Sequence, residues 1–317
     1  MKTTACAVLC AAAIAGVAST VAAQDASKGA ALLADARRAL GGEEKLRAIK
    51  TLDVRGDFKR AAGQTTVEGE LQVRLEPPDK LRRDEDLSLP GGGPAIIRTE
   101  VLNGATVWED TNGGGGAFVA RFGRGDRGGG GGGGGARAGG GAGGGRAAID
   151  PAQLEEAQRR ARRIELSRFM LVWLLNVDGQ ASWVATAESP DGKADVIEIT
   201  PATGPVTRLF LDQATHMPLM ITWQGAAPQL IARGRGGRGG GQRAEGAARG
   251  VAGSPGDGPP PQREQATLQM TLGNYKTVNG VKLPHLITRG VNDMTIEEWT
   301  IDSYRVNPSF KADVFTQ

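Results

Sequence analysis

The residues of this chain that come into question for acid–base, nucleophilic or metal chemistry are spaced in ways that argue against each. The two histidines, His216 and His285, stand far apart, each within two residues of a proline. A metal site needs further ligands at short, regular spacing, so both read as structural. Glu297, Glu298 and Asp302 cluster near the C terminus. On a strand, Glu298 and Asp302 share one side and Glu297 takes the other, which reads as a solvated strand surface and not as a paired acid and base. The only cysteines are Cys6 and Cys10. No serine sits in a nucleophile elbow, and the glycine tracts lack the Lys-Ser/Thr ending of a phosphate loop. A binding role is therefore favoured over an enzymatic one, with no cofactor, no metal and no catalytic residue expected.

The remaining charged pattern is arginine set in glycine: "RGDRGGGGGGGGARAGGGAGGGR" at 124–146 and "ARGRGGRGGGQR" at 232–243. Such tracts suit RNA, because they join backbone flexibility to phosphate-seeking charge. The start of the chain opposes that reading. Lys2 is followed by an apolar run from Ala5 to Val17 and then by small residues ending "TVAAQ", the layout of a secretory signal cleaved after Ala23. The run is shorter than the roughly 20 residues of a membrane span. Cys10 follows Leu9, far from the cleavage point, so no lipid anchor is expected. An exported periplasmic chain without cysteines uses no disulfides and meets no cytoplasmic RNA. No nucleic-acid partner is expected, and the glycine tracts read as flexible, solvated insertions. Segments 123–149 and 232–264 hold 16 and 11 of the 49 glycines and carry a net +6, so the body is mildly acidic although the whole chain is +3. The expected organisation is a signal at 1–23 and one domain at 24–317 carrying both insertions, a size that all-β domains reach routinely.

The elements follow from periodicity. Ser27 is placed to cap a first helix bearing Leu33, Ala36 and Leu40, with Gly41-Gly42 ending it; a second, short helix turns Leu46 and Ile49 inward. From Leu52 the period changes to two. Leu52, Val54 and Phe58 alternate with charges, then Val67, Leu71, Val73 and Leu75 do the same, as half-buried antiparallel strands do. "DKLRRDEDL" reads as a charged strand near an edge, and "AIIRTEVL–NG–ATVWED" as a hairpin. "DPAQLEEAQRRARRIELSRFMLVWLL" is the clearest helix, with Asp150 as cap, Pro151 in the first turn and Gln153 completing a capping box. Its first half is arginine-rich; its second, from Phe169, is apolar and suited to a cavity or a core. More short strands follow, and roughly ten in all are expected in one antiparallel sheet curled around the helices.

This order of parts resembles the LolA family of periplasmic lipoprotein carriers and lipoprotein-sorting proteins. The resemblance is carried by the helix pair running into "TLDVRGDF", by "GELQVRLEPPDKLRRD" and "LNGATVWED", by the mid-chain helix ending in "LL", and by "DVIEITP", "TRLFLDQATHMPLMITW" and "IDSYRVNPSFKADVFT". It implies an α+β fold that is mainly β: an open, unclosed antiparallel β-barrel covered by helices. It also implies acyl chains held on the concave face, a donor or acceptor protein at a membrane, and a strand arginine that holds the helical lid, for which Arg82 and Arg83 are the nearest positions. The apolar groove would be lined by Leu71, Val73, Leu75, Leu209, Leu211, Leu268, Met270 and Leu272, with Trp108 and Trp183 on other strands and Phe169 and Trp173 on the helix. The same side chains would also make a closed core. A non-enzymatic envelope sensor or scaffold of the same fold is the second reading, and polyanion binding through the arginine–glycine tracts the third.

The exported protein is expected to start at Gln24 and to carry no acyl group. Its intact mass checks both points; a mass showing lipid on Cys10, or retention of residues 1–23, overturns them.

Overall fold

The computed structural model describes residues 25–62, 65–88, 95–112, 150–177, 179–190, 192–202, 204–226 and 265–316. The expected signal and both glycine-rich insertions lie outside them. Twelve strands form one sheet: β1 (Leu52–Ala62), β2 (Thr65–Glu76), β3 (Lys80–Ser88), β4 (Ile96–Asn103), β5 (Thr106–Asn112), β6 (Gly179–Ser189), β7 (Gly192–Pro201), β8 (Thr207–Asp212), β9 (Pro218–Ala226), β10 (Gln265–Val278), β11 (Val281–Val291) and β12 (Met294–Val306). Their spatial order is β5-β4-β3-β2-β1-β12-β11-β10-β9-β8-β7-β6, and every neighbouring pair is antiparallel. Two meanders are thus joined where β1 pairs with β12. Strands β5 and β6 end the sheet and do not pair with each other, so the barrel stays open.

Alternation makes one face continuous across the strands. Leu52, Val54 and Phe58 lie in register with Leu75, Val73 and Gly69 of β2 on one side and with Val306, Tyr304 and Trp299 of β12 on the other. Ile287, Leu272, Ile221, Leu209 and Ile197 extend this buried face towards β7. The hairpin between β4 and β5 forms where the Asn-Gly dipeptide predicts one, but its two turn residues are Gly104, at φ 59°, and Ala105, while Asn103 closes β4 by pairing with Thr106.

Three helices cover the concave side. Helix α1 (25–40) buries Leu33, Ala36 and Leu40, and α2 (Glu43–Arg47) buries Leu46. Ser27 does not cap α1: the chain is already helical at residue 25, two residues before it. Helix α3 (Pro151–Leu174) has 24 residues, a length of about 36 Å. The Asp150 side chain accepts from Ala152 N at 3.0 Å, the expected cap. At the other end Leu175 takes the left-handed conformation (φ 45°), Leu175 N donates to Leu171 O and Asn176 N to Met170 O. The bond from Leu175 N to Leu171 O is that of an αL stop, a position where glycine is usual. Burial of Leu175 and the donation of Arg37 Nη2 to its carbonyl at 3.0 Å hold the strained residue in place. The cation belongs to α1, because the last turn of α3 has no basic residue to meet its negative end.

The charged strand β3 is not at an edge; β2 and β4 flank it. Charge alone misplaces it, since two of its six ionic groups, Arg83 and Glu85, face inward and are neutralised there.

Helix α1 lies directly on β6. A Cβ on Gly29 would stand 2.7 Å from Ser182 Cα and 2.8 Å from Trp183 N. Gly29→Ala should gain up to about 1 kcal/mol of helix propensity and still lower stability by about 1–3 kcal/mol through overpacking. The urea midpoint measures the sign; a more stable variant would show that α1 does not pack this closely.

Candidate functional site

The concave face has two parts, and α3 spans both. Its C-terminal half lies on apolar side chains. Phe169 and Trp173 stack at 4.8 Å, Phe169 meets Trp299 at 5.8 Å, and Trp173 meets Tyr304 edge-on at 6.4 Å. Leu71, Val73, Leu75, Leu209, Leu211, Met270 and Leu272 are buried in the same core, and Leu268 packs at its margin. Trp183 also borders it, with Lys28 Nζ 3.4 Å from the ring centroid and Nε1 donating to Asp195 at 3.1 Å. Trp108 does not join this group. It pairs with Val101 on the opposite face of the sheet, where the Arg82 guanidinium lies 6.0 Å from its ring. Along β5, Trp108 has the parity of Asp110, not of the inward Glu109.

The N-terminal half of α3 lies on charges. Five arginines (Arg60, Arg83, Arg98, Arg162, Arg289) and five glutamates (Glu85, Glu100, Glu109, Glu165, Glu297) form a continuous, mostly buried cluster on β1, β3, β4, β5, β11, β12 and α3. Arg60 grips Glu85 at 2.7 and 3.2 Å and Glu297 at 2.7 Å. Glu297 also accepts from Arg289 at 3.0 Å and from Trp299 Nε1 at 2.8 Å. Arg83 pairs with Glu100 at 2.5 Å and with Glu165 of α3. Arg162 of α3 pairs with Glu100, and with Glu165 at 2.8 Å.

The equal numbers make the cluster tenable, since an unpaired buried charge costs several kcal/mol. Burial alone would lower the arginine values, but the attraction of Glu100, Glu165 and Glu85 holds Arg83 well above the usual range. Burial alone would raise Glu165, yet Arg83 and Arg162 hold it down at about 2. Glu85 is likewise held far below the carboxylate range: burial opposes this, and Arg60 and Arg83 overcome it. Arg98, by contrast, is lowered by burial, which outweighs Glu100.

Of the two arginines singled out from the sequence, Arg83 is the one that reaches α3. Arg82 points to the other face, bonding Asp84 and donating to Val314 O of the C-terminal 3-10 turn (Ala312–Phe315) at 2.9 Å. Glu297 is not a solvated surface group as its neighbours suggested; it is 4% exposed because two guanidiniums and an indole enclose it. His285 is buried, with Nδ1 2.6 Å from Ile301 O, and His216 occupies a turn at φ 56°. No cluster of metal-ligating groups and no helix long and apolar enough to cross a membrane occurs among the described residues.

Fold and site together define an open antiparallel sheet plugged by one two-part helix. Solved structures aligned with it include a domain described as an outer membrane lipoprotein-sorting protein from Vibrio parahaemolyticus (10% identity, 92% of this chain and 97% of that one, TM-score 0.41). A LolA superfamily protein from Nitrosomonas europaea aligns at 11% identity over 89% and 97% of the two chains, TM-score 0.41. A DUF1329 family protein from Desulfovibrio piger aligns at 9% identity over 90% and 96%, TM-score 0.41. No family model and no curated protein matches the chain.

Removing one partner of a buried ion pair should cost about 3–5 kcal/mol, so Arg83→Met is expected to lose that much in urea unfolding. The sign of the pH dependence follows from Glu165: its contribution is complete above its ordinary value of 4.5 and is lost as pH falls towards about 2. Stability should therefore fall across this window, less steeply in Glu165→Gln. Equal slopes in the two proteins would remove Glu165 from the account.

Proposed function

We propose that this chain is an exported, periplasmic, non-enzymatic carrier that takes lipid or lipoprotein acyl chains beneath α3 and exchanges them with a membrane-associated partner. One observation carries the reading. The helix over the open side of the sheet is ion-paired along one half and apolar along the other. The apolar half occupies the face where an acyl chain would be solvated equally well by Leu209, Leu211, Met270 and Leu272. A helix and a lipid tail offer the sheet similar surface, so exchanging one for the other leaves few apolar atoms in water. The unpaired edges β5 and β6 leave α3 room to move, and Arg83 and Arg162 hold it shut through charge pairs that can form again on closing.

The filled state of the core favours a second reading, an envelope sensor or scaffold of the same fold, in which α3 never leaves.

A series of fluorescent fatty acids separates the two. Under the carrier reading, affinity rises by about 0.8 kcal/mol per methylene until the face is full. Uptake in stopped flow should reach a plateau rate set by α3 opening, and Arg162→Gln should raise that plateau. No saturable binding by the folded wild type leaves the scaffold reading.

A further inference from the structure

Among the described residues five carboxylates are buried: Asp53, Glu85, Glu100, Asp195 and Glu297. Four of them have a guanidinium within ion-pairing distance. Asp195 of β7 has none among the described residues, although it is only 8% exposed. Its hydrogen-bond partner is neutral, the indole Nε1 of Trp183, which donates to Oδ1 at 3.1 Å. Lys193, two residues along the same strand, is engaged with Glu188 at 2.6 Å. A buried ionised carboxylate without a countercharge is costly to fold, and packing alone gives no reason to keep one. The Trp183 ring already carries an alkylammonium on its face: Lys28 Nζ of α1 lies 3.4 Å from the ring centroid. Lys28 is exposed and forms no ion pair with Asp195. Strand β6 is an unpaired edge of the sheet, and Val184 beside the indole is 41% exposed. A ligand arriving over that edge meets the ring without displacing α3.

An indole whose edge is hydrogen-bonded to a carboxylate and whose face holds an ammonium has the parts that recognise organic cations. The ring quadrupole attracts the charge, and the carboxylate neutralises it. A metal ion fits poorly, since no three ligating groups come together here among the described residues. We propose that Trp183 and Asp195 form a binding site for a small organic ammonium group, and that Lys28 Nζ stands where that group binds. An exposed lysine held by one cation–π contact lowers the ligand's affinity only about two- to fivefold, so the position is open to competition. One charge-assisted contact and one ring face together give a roughly millimolar site for a small cation. The site does not need the carrier reading, because no chain has to enter beneath α3.

Titration of the whole mature protein with choline, followed at the Trp183 indole N–H by proton–nitrogen correlation spectra, tests it; the resonance missing from Trp183→Phe identifies the group. Choline is expected to shift that resonance saturably, and its uncharged isostere dimethylbutanol to leave it in place. Lys28→Gln should tighten choline about two- to fivefold. Asp195→Asn keeps the shape and an acceptor for the indole, so it should weaken choline at least about tenfold. The same variant should raise the urea midpoint, because it removes the uncompensated charge. Near-UV circular dichroism reports whether each variant is folded, and the contrast between choline and its isostere stands without them. Lysophosphatidylcholine below its micelle concentration distinguishes the source of the ammonium. Binding tighter than choline, with the same dependence on Asp195, assigns a lipid head group; equal or weaker binding assigns a free cation. No saturable shift with choline, an equal response to the isostere, or unchanged affinity in folded Asp195→Asn overturns the site. A lower urea midpoint in Asp195→Asn overturns it too, since the carboxylate would then be kept for its bond to the indole.

Discussion

Ten charges enclosed on the concave side of an unclosed sheet must neutralise one another, and this requirement organises the rest of the molecule. Glu297 ties β12 to β1 and β11 through Arg60 and Arg289, at the seam where the two meanders meet. Glu85 and Arg83 carry the chain of pairs to β3, Glu100 and Arg98 to β4, and Arg162 and Glu165 to α3. Its side-chain charges fasten the polar half of α3 to β3, β4 and β5. Loss of any one member leaves an uncompensated charge in a low-dielectric site, which is why the pairs act as a unit.

Apolar burial does the corresponding work at the other end. Phe169, Trp173 and Leu175 fill the hollow of the sheet, while Arg37 secures the reversed backbone at the helix end. The two ends respond to different conditions. Burial shields the ion pairs from salt, and acid weakens them only below the ordinary carboxylate range. The apolar half answers instead to anything that replaces its contacts, which under the carrier reading proposed above is an acyl chain.

Most of the strands were legible because side-chain alternation with period two is a local property, carried by segments such as "TLDVRGDFK" in their own residues; the sheet has twelve strands where roughly ten were expected, and β7 buries four residues in a row. Helix α3, its cap and its two halves were legible for the same reason. The parity signal for the charge cluster was present as well. Arg83 and Glu85 share the parity of Leu81 and Leu87, Arg98 and Glu100 that of Ile96 and Leu102, and Glu297 that of Trp299. Nothing local shows that such groups have partners, since Arg60 and Glu297 are 237 residues apart in sequence and meet only through the β1–β12 pairing. By itself, then, the sequence determined which residues form strands and helices and which strand faces are apolar. The tertiary structure decided that Arg83 and not Arg82 meets the covering helix, that Trp108 faces away, and that Glu297 is buried. The physical reason is that an ion's preference for water or for the interior depends on the countercharge the fold brings to it.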